Sequence, residues 1–218
     1  QTTLERWHIE GIVDAEHHFD NVETTVAHCF AAPHRALGGQ AFGARLFDAL
    51  HQRGMVTPGA RVLEVGPGTG ELAGHWTARA AAQGVQLADY LRVDRSPVLL
   101  AAQSAQAPTT RGMEGSATSL PVADASVDLL LSNEVMADLS AAPDGDAVRA
   151  RRERHDLTRL PVGSRYNLGA WQLVEECARV LRPGGHAYLS EFGDVDELPT
   201  ETLHLDHPEV SVHFGHLQ

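Results

Sequence analysis

A doubly wound α/β fold built on a mostly parallel sheet is what this sequence predicts, and three observations carry that prediction. Strand and helix signals alternate from Ala60 onward. The strand segments are short and nearly continuously apolar, as strands buried on both faces must be. The first of them runs straight into a glycine-rich turn and then a helix, an arrangement that sets backbone N–H groups against a nucleotide-like ligand.

Arg61–Val65 is the first strand, and its helix runs from Glu71 to about Ala82. Leu87–Val93 is the second strand, ended by Asp94, with a helix near Pro97–Gln106 and a third strand near Thr109–Met113. Ser126–Ser132 carries Val127, Leu129, Leu130 and Leu131 and reads as a buried fourth strand. Residues 138–165 are polar and rich in Arg, Ala and Asp, which suggests an insertion that is part helix and part mobile loop. Ala170–Val180 is an amphipathic helix, stopped by Leu181-Arg182-Pro183-Gly184-Gly185, and His186–Phe192 is a fifth strand. Ahead of this core, Phe42, Leu46, Phe47 and Leu50 form a helical stripe that Pro58-Gly59 brings to a stop. The expected division is a helical cap or lid over 1–57 and an α/β core over 58–218 that carries the insertion.

A chain of 218 residues can bury one substantial core. Its 17 basic residues are all arginine, which excludes a lysine Schiff base or a P-loop lysine from this chain. Against them stand 29 acids, and a net charge of -12 argues against nucleic acid as a partner. The one dense basic run, Arg149-Ala150-Arg151-Arg152-Glu153-Arg154, reads as a solvated helix face or as a contact for an anionic substrate. Cys29 and Cys177 lack metal-like spacing and are expected reduced. Without a signal peptide or a membrane-length apolar run, the expected location is cytoplasmic.

Gly66, Gly68 and Gly70 let the backbone turn sharply beside a ligand, and Pro67 stiffens the turn. The spacing differs from the dinucleotide G-x-G-x-x-G, because Glu71 stands where its last glycine would fall. An acid at that helix start also opposes a pyrophosphate. Asp94 ends the strand beside the first and is placed to accept both hydrogen bonds of a ribose diol, or to cap the helix that follows. Glu64 lies inside a strand, where a carboxylate needs a cationic ligand group or loop amides.

Val62-Leu63-Glu64-Val65-Gly66-Pro67-Gly68-Thr69-Gly70 resembles the signature of class I S-adenosylmethionine-dependent methyltransferases, whose fold is Rossmann-like. Arg92-Val93-Asp94-Arg95-Ser96 resembles their ribose-binding strand end, and Gly115-Ser116-Ala117-Thr118 their adenine-side segment. Leu181-Arg182-Pro183-Gly184-Gly185 resembles the turn before their fifth strand. The resemblance implies S-adenosyl-L-methionine as cofactor. Glu64, Gly66, Pro67, Gly68 and Gly70 would face its methionine part, Asp94 and Arg95 its ribose, and Ser116 and Ala117 its adenine. Where Ser116 stands the family often has an acid. A full sheet of this family adds two more strands, of which Val210–Phe214 can supply one, so the sheet ends early or a second copy of the chain fills its edge as a homodimer. Tyr90–Leu99, Ser132–Leu139 and Val210–Phe214 further resemble MidA-like methyltransferases, a branch whose known member methylates protein arginine.

For the chemistry, Asn133 and Glu134 follow the fourth strand into the crevice where an acceptor arrives. Glu134 suits orienting an amine or guanidinium, or taking a hydroxyl proton, and Asn133 suits holding the acceptor or the methionine end; a helix cap is the plainer role for the pair. Glu191 and Asp194 add carboxylates, and Tyr166 and Trp171 are candidate walls of an acceptor pocket. His18, with His17, Phe19 and Asp20, is the candidate base if the lid closes over the site. His204-Leu205-Asp206-His207 permits a metal without demanding one, and no metal is expected. The predicted function is methyl transfer to an oxygen or nitrogen acceptor on a small molecule or peptide. The alternatives are a MidA-like protein arginine methyltransferase, an NAD-linked oxidoreductase, and a non-catalytic assembly factor of the same fold.

Overall fold

The computed structural model describes residues 9–204 and 207–217. Five strands form one sheet: β1 (Arg61–Val65), β2 (Asp89–Asp94), β3 (Arg111–Glu114), β4 (Val127–Asn133) and a long strand, Leu181–Ser190, at its edge. The spatial order is β3-β2-β1-β4 and then that edge strand, with every pairing parallel. The chain winds outward from β1 in one direction and then, from β4, in the other. The crevice at the carboxyl ends of β1 and β4 is therefore the switch point where open α/β sheets bind ligands.

Three helices cover one face: α3 (Phe42–Gln52), α4 (Glu71–Ala82) and α5 (Pro97–Gln106), after the short α1 (Ala15–Asn21) and α2 (Val26–Cys29). Leu46, Phe47 and Leu50 of α3 share a core with Trp76, Val62, Tyr90, Leu129 and Leu131. The predicted stripe is thus part of the same apolar cluster as the sheet, and only the segment before it remains to cover the site. On the other face, α7 (Leu168–Val180) packs Leu173, Cys177 and Val180 on Leu63, Val65, Leu91, Val93 and Leu130. The insertion holds a two-residue ladder, β5 (Ala142–Pro143) with β6 (Arg165–Tyr166), and α6 (Asp146–His155).

The fifth strand begins earlier than the Pro-Gly-Gly turn predicts. It pairs from Leu181 and is numbered β7 here. While β4 advances from Val127 to Leu129, β7 advances from Leu181 to His186, so the predicted turn survives as a bulge with Gly184 at φ 82°. The tail corrects a second expectation. Val212–His213 pairs parallel with Gly193–Asp194, and Glu201–His204 pairs antiparallel with His207–Val210, so Val210–Phe214 adds no strand to the main sheet. Leu205, Asp206 and the side chains of His204 and His207 lie outside the described residues, and the candidate metal pair with them. Cys29 and Cys177 are both free.

Phe47 is fully buried and meets Trp76 edge-on with ring centroids 5.3 Å apart. Phe47→Ala should cost about 3–5 kcal/mol of stability, read as a lowered urea midpoint with an unchanged slope.

Candidate functional site

A cavity of about 600 Å³ opens at the switch point, a size that suits a cofactor together with an acceptor. Its floor comes from the ends of β1, β2 and β4 and from the loop after β3. Its cover comes from Ile12, Phe19, Glu23, Thr25, Ala27 and His28.

The glycine loop is built for close approach. Gly66 has φ 64°, and a Cβ there would lie 2.5 Å from Val135 Cγ2. Gly70, at φ 95°, is the N-cap of α4, and its Cα faces the backbone of Gln103 so closely that a Cβ would come within 3.0 Å of Gln103 Cα. The ring of Phe19 closes over Gly68, 3.0 Å from where a side chain would begin. With Ile12 and Leu99 it forms a small apolar cluster that seats α1 on α5. Glu71 lines the cavity beyond the loop and accepts a hydrogen bond from Gln106 at 2.8 Å.

Two buried carboxylates flank this loop. Glu64 is 3% exposed and accepts a hydrogen bond from Tyr90 Oη at 2.8 Å. Burial lifts its pKa to about 7, against the pull of the Tyr90 hydroxyl and the Arg92 charge. Asp94 Oδ1 accepts the Ser96 N–H at 2.9 Å and Oδ2 the Gln103 amide at 2.8 Å. Burial raises Asp94 to about 6, opposed by those same hydrogen bonds. Both carboxylates keep lone pairs for a ligand. Arg95, Ser116 and Ala117 also line the cavity. The Ser116 hydroxyl lies 2.9 Å from Thr118 Oγ1 and accepts the Thr118 N–H, so it braces its own turn.

At the end of β4, Asn133 Oδ1 accepts from Ser190 Oγ at 2.8 Å, and its Nδ2 donates to Glu134. Glu134 has φ 55°, a conformation that costs a non-glycine residue of the order of 1–3 kcal/mol and concentrates at functional sites. Its Oε2 accepts the Val26 N–H at 2.6 Å, which ties the start of α2 to the end of β4 across the cavity. Asp138 lines the cavity half-buried, and desolvation followed by the charges of Glu23, Glu191, Glu209 and Glu134 pushes it well above the usual carboxylate range. Glu191 rises to about 7, mainly through burial.

The structure separates the other candidates. His18 does not line the cavity; it is 4% exposed and sits 2.8 Å from Glu23. Asp194 braces its own turn through the Asp196 and Glu197 N–H groups. Tyr166 and Trp171 are core residues, packed with His216 rather than around the cavity. The basic run divides: Arg149 and Arg154 are exposed, as a solvated face would be, whereas Arg151 and Arg152 are half-buried and paired with Glu175 and Asp144.

Two residues escaped the sequence reading. His28 lines the cavity with Nε2 at 2.8 Å from Asp20, while Nδ1 is shielded and has no partner. Gln103 is wholly buried on the same face of α5 as Leu99. A polar residue one turn beyond an apolar one was the available signal. Among the described residues, no group of three or more His, Cys, Asp or Glu could hold a metal, and no helix is long and apolar enough to cross a membrane.

The sequence profile of the methyltransferase domain matches residues 63–158. A malonyl-[acyl-carrier protein] O-methyltransferase of Methylococcus capsulatus is 31% identical over 140 residues, 63% of this chain and 39% of that protein. An uncharacterized methyltransferase of Mycobacterium sp. (strain KMS) is 34% identical over 135 residues, 62% of this chain and 40% of its own. The matched stretch thus spans about two fifths of these curated relatives. A Haemonchus contortus phosphoethanolamine N-methyltransferase, solved with phosphoethanolamine and S-adenosylhomocysteine, superposes with a TM-score of 0.47 at 18% identity, covering 82% of this chain and 31% of that one. The site residues suit the cofactor of a methyltransferase domain: a loop with no room for a Cβ at Gly66, and a buried carboxylate with lone pairs left for a diol.

Gly66→Ala should weaken S-adenosylhomocysteine binding by tenfold or more, about 1.4 kcal/mol, in calorimetric titration. Adding Val135→Ala should restore part of that loss, because the clash is with Val135. The pH response should carry two opposite signs. Since Asp94 and Glu64 titrate near 6 and 7 in the fold, the stability they contribute is full below the ordinary carboxylate pKa of about 4 and is lost as pH rises through 6 and 7. If the Asp94 carboxylate holds the ribose diol, S-adenosylhomocysteine affinity should fall below about pH 6, and Asp94→Asn should flatten that curve.

Proposed function

Because this chain belongs to the class I S-adenosylmethionine-dependent methyltransferases, we propose that it transfers a methyl group to a nitrogen or oxygen acceptor on a small molecule or peptide. The observation that carries this reading is the continuity of one cavity from Asp94 and the glycine loop to Glu134, Asp138 and His28. When bound, S-adenosylmethionine supplies an electrophilic methyl on a sulfonium. In this reading the chain's own residues hold and orient. Glu64 and the loop take the methionine end, Asp94 the ribose, and the Ser116–Ala117 turn the adenine. Phe19 and the Val26–Glu134 hydrogen bond keep water from the transfer point.

His28, which lines the cavity, is the candidate for taking a proton in this reading. With Nε2 facing the Asp20 carboxylate, that nitrogen carries the hydrogen, and Nδ1 keeps its lone pair. Family membership displaces the NAD-linked alternative, and the cavity speaks against a non-catalytic role. Two acceptor classes have support. The carboxylates around Asp138 favour an amine or guanidinium, the acceptor of the MidA-like resemblance. Kinship with the Methylococcus capsulatus protein favours the oxygen of a malonyl thioester.

Tritiated S-adenosylmethionine offered with ethanolamine, an arginine peptide, catechol or a malonyl thioester should label the amine or arginine acceptor first. Label on the thioester alone would replace that acceptor class. No label on any of the four would count against transfer to these classes. With the labelled acceptor, His28→Gln and Asp20→Asn should lower kcat by tenfold or more, in the range of about 10²–10⁴ for a lost general base, while S-adenosylhomocysteine affinity stays within about threefold.

A further inference from the structure

Gln103 is wholly buried, yet all its amide hydrogens and its oxygen are used. Nε2 donates to the Gly68 carbonyl at 2.9 Å and to Asp94 Oδ2 at 2.8 Å. Oε1 accepts from Arg92 Nη1 at 2.9 Å. Arg92 is itself 1% exposed, donates through Nε to Thr110 Oγ1 at 2.5 Å, and lies in register with Glu64 on the neighbouring strand. The amide has only one workable orientation. A guanidinium only donates, whereas a carbonyl and a carboxylate only accept, so a flip would set like against like at all three contacts. Arg92 thereby fixes which way Gln103 points, and Gln103 fixes Asp94.

We propose that Gln103 is a positioning residue of the cofactor site, held by Arg92, that presents Asp94 to the ribose diol and locks the glycine loop to it through the Gly68 carbonyl. This rests on the assignment of Asp94 to the ribose. Asp94 Oδ1 is anchored by Ser96 and Oδ2 by Gln103, so the remaining lone pairs of the carboxylate have fixed directions. Without Gln103 the carboxylate rotates about one anchor, and the loop loses its tie to α5.

The experiment is a cycle between protein and ligand. Dissociation constants of S-adenosylhomocysteine and its 2′-deoxy analogue are measured by calorimetry on the full chain, on Gln103→Met and on Asp94→Ala. The unaltered chain should prefer the 2′-hydroxyl ligand by about tenfold or more, the range for hydrogen bonds to a charged group. Asp94→Ala should abolish the preference, and Gln103→Met should reduce it to within about threefold. A Gln103→Met protein that weakens both ligands equally and keeps the preference would overturn the positioning role while leaving the ribose assignment intact. A preference retained in Asp94→Ala would overturn the ribose assignment and this proposal with it. If Gln103→Met fails to fold, the same ratio is read on Gln103→Glu, which keeps a partner for Arg92 but cannot donate to Asp94. There the pH at which affinity falls should also move upward, since a second carboxylate holds the Asp94 proton more tightly. An unmoved pH midpoint and an unchanged ratio would overturn the proposal.

Discussion

The site depends on one buried cation. Two carboxylates, Glu64 and Asp94, lie within the sheet at 3% and 8% exposure, where isolated charges would be expelled or neutralised. Arg92 sits beside Glu64 in the sheet register and reaches Asp94 through Gln103. Its charge acts to lower the pKa of Glu64, as the Gln103 hydrogen bond does for Asp94. Because all these groups project from β1, β2 and α5, the ligand-facing oxygens inherit the rigidity of the core rather than the mobility of a loop.

The cover over the site depends on that rigid floor. Phe19 needs the bare backbone of Gly68, and the α2 start needs the Glu134 carboxylate. Glu134 reaches Val26 from a backbone conformation that ordinary residues avoid. A strained residue at a strand end, satisfied by the segment that closes over it, couples the state of the cover to the geometry of the crevice. The cluster of acids beyond β4 follows from the same convergence, since Glu134, Glu191 and Asp138 all come from chain segments leaving the switch point.

Much of this was legible in the sequence, because local chemistry and fold agree there. The strand–glycine loop–helix corner, the acid ending β2, and the Leu129–Leu131 run each announce their place through period or composition. What stayed hidden depends on distant pairing. His18 and His28 look alike in sequence, and only the packing of α1 and α2 puts one against Glu23 and the other on the cavity. Gln103 has no motif, and its value appears only when Arg92, Asp94 and Gly68 converge on it. The tail misled because Val210–Phe214 alternates like an edge strand, whereas its partner proved to be the short segment after β7.

The bulge in β7 bears on how molecules of this chain meet one another. A bare sheet edge is a template for stacking, and long straight edges invite fibres. Here Pro183 removes a donor, and the kink from Arg182 to Gly185 breaks the ladder, leaving only His186–Ser190 straight. Five residues is about the length of one ordinary strand. So short a straight stretch offers little to runaway polymerisation.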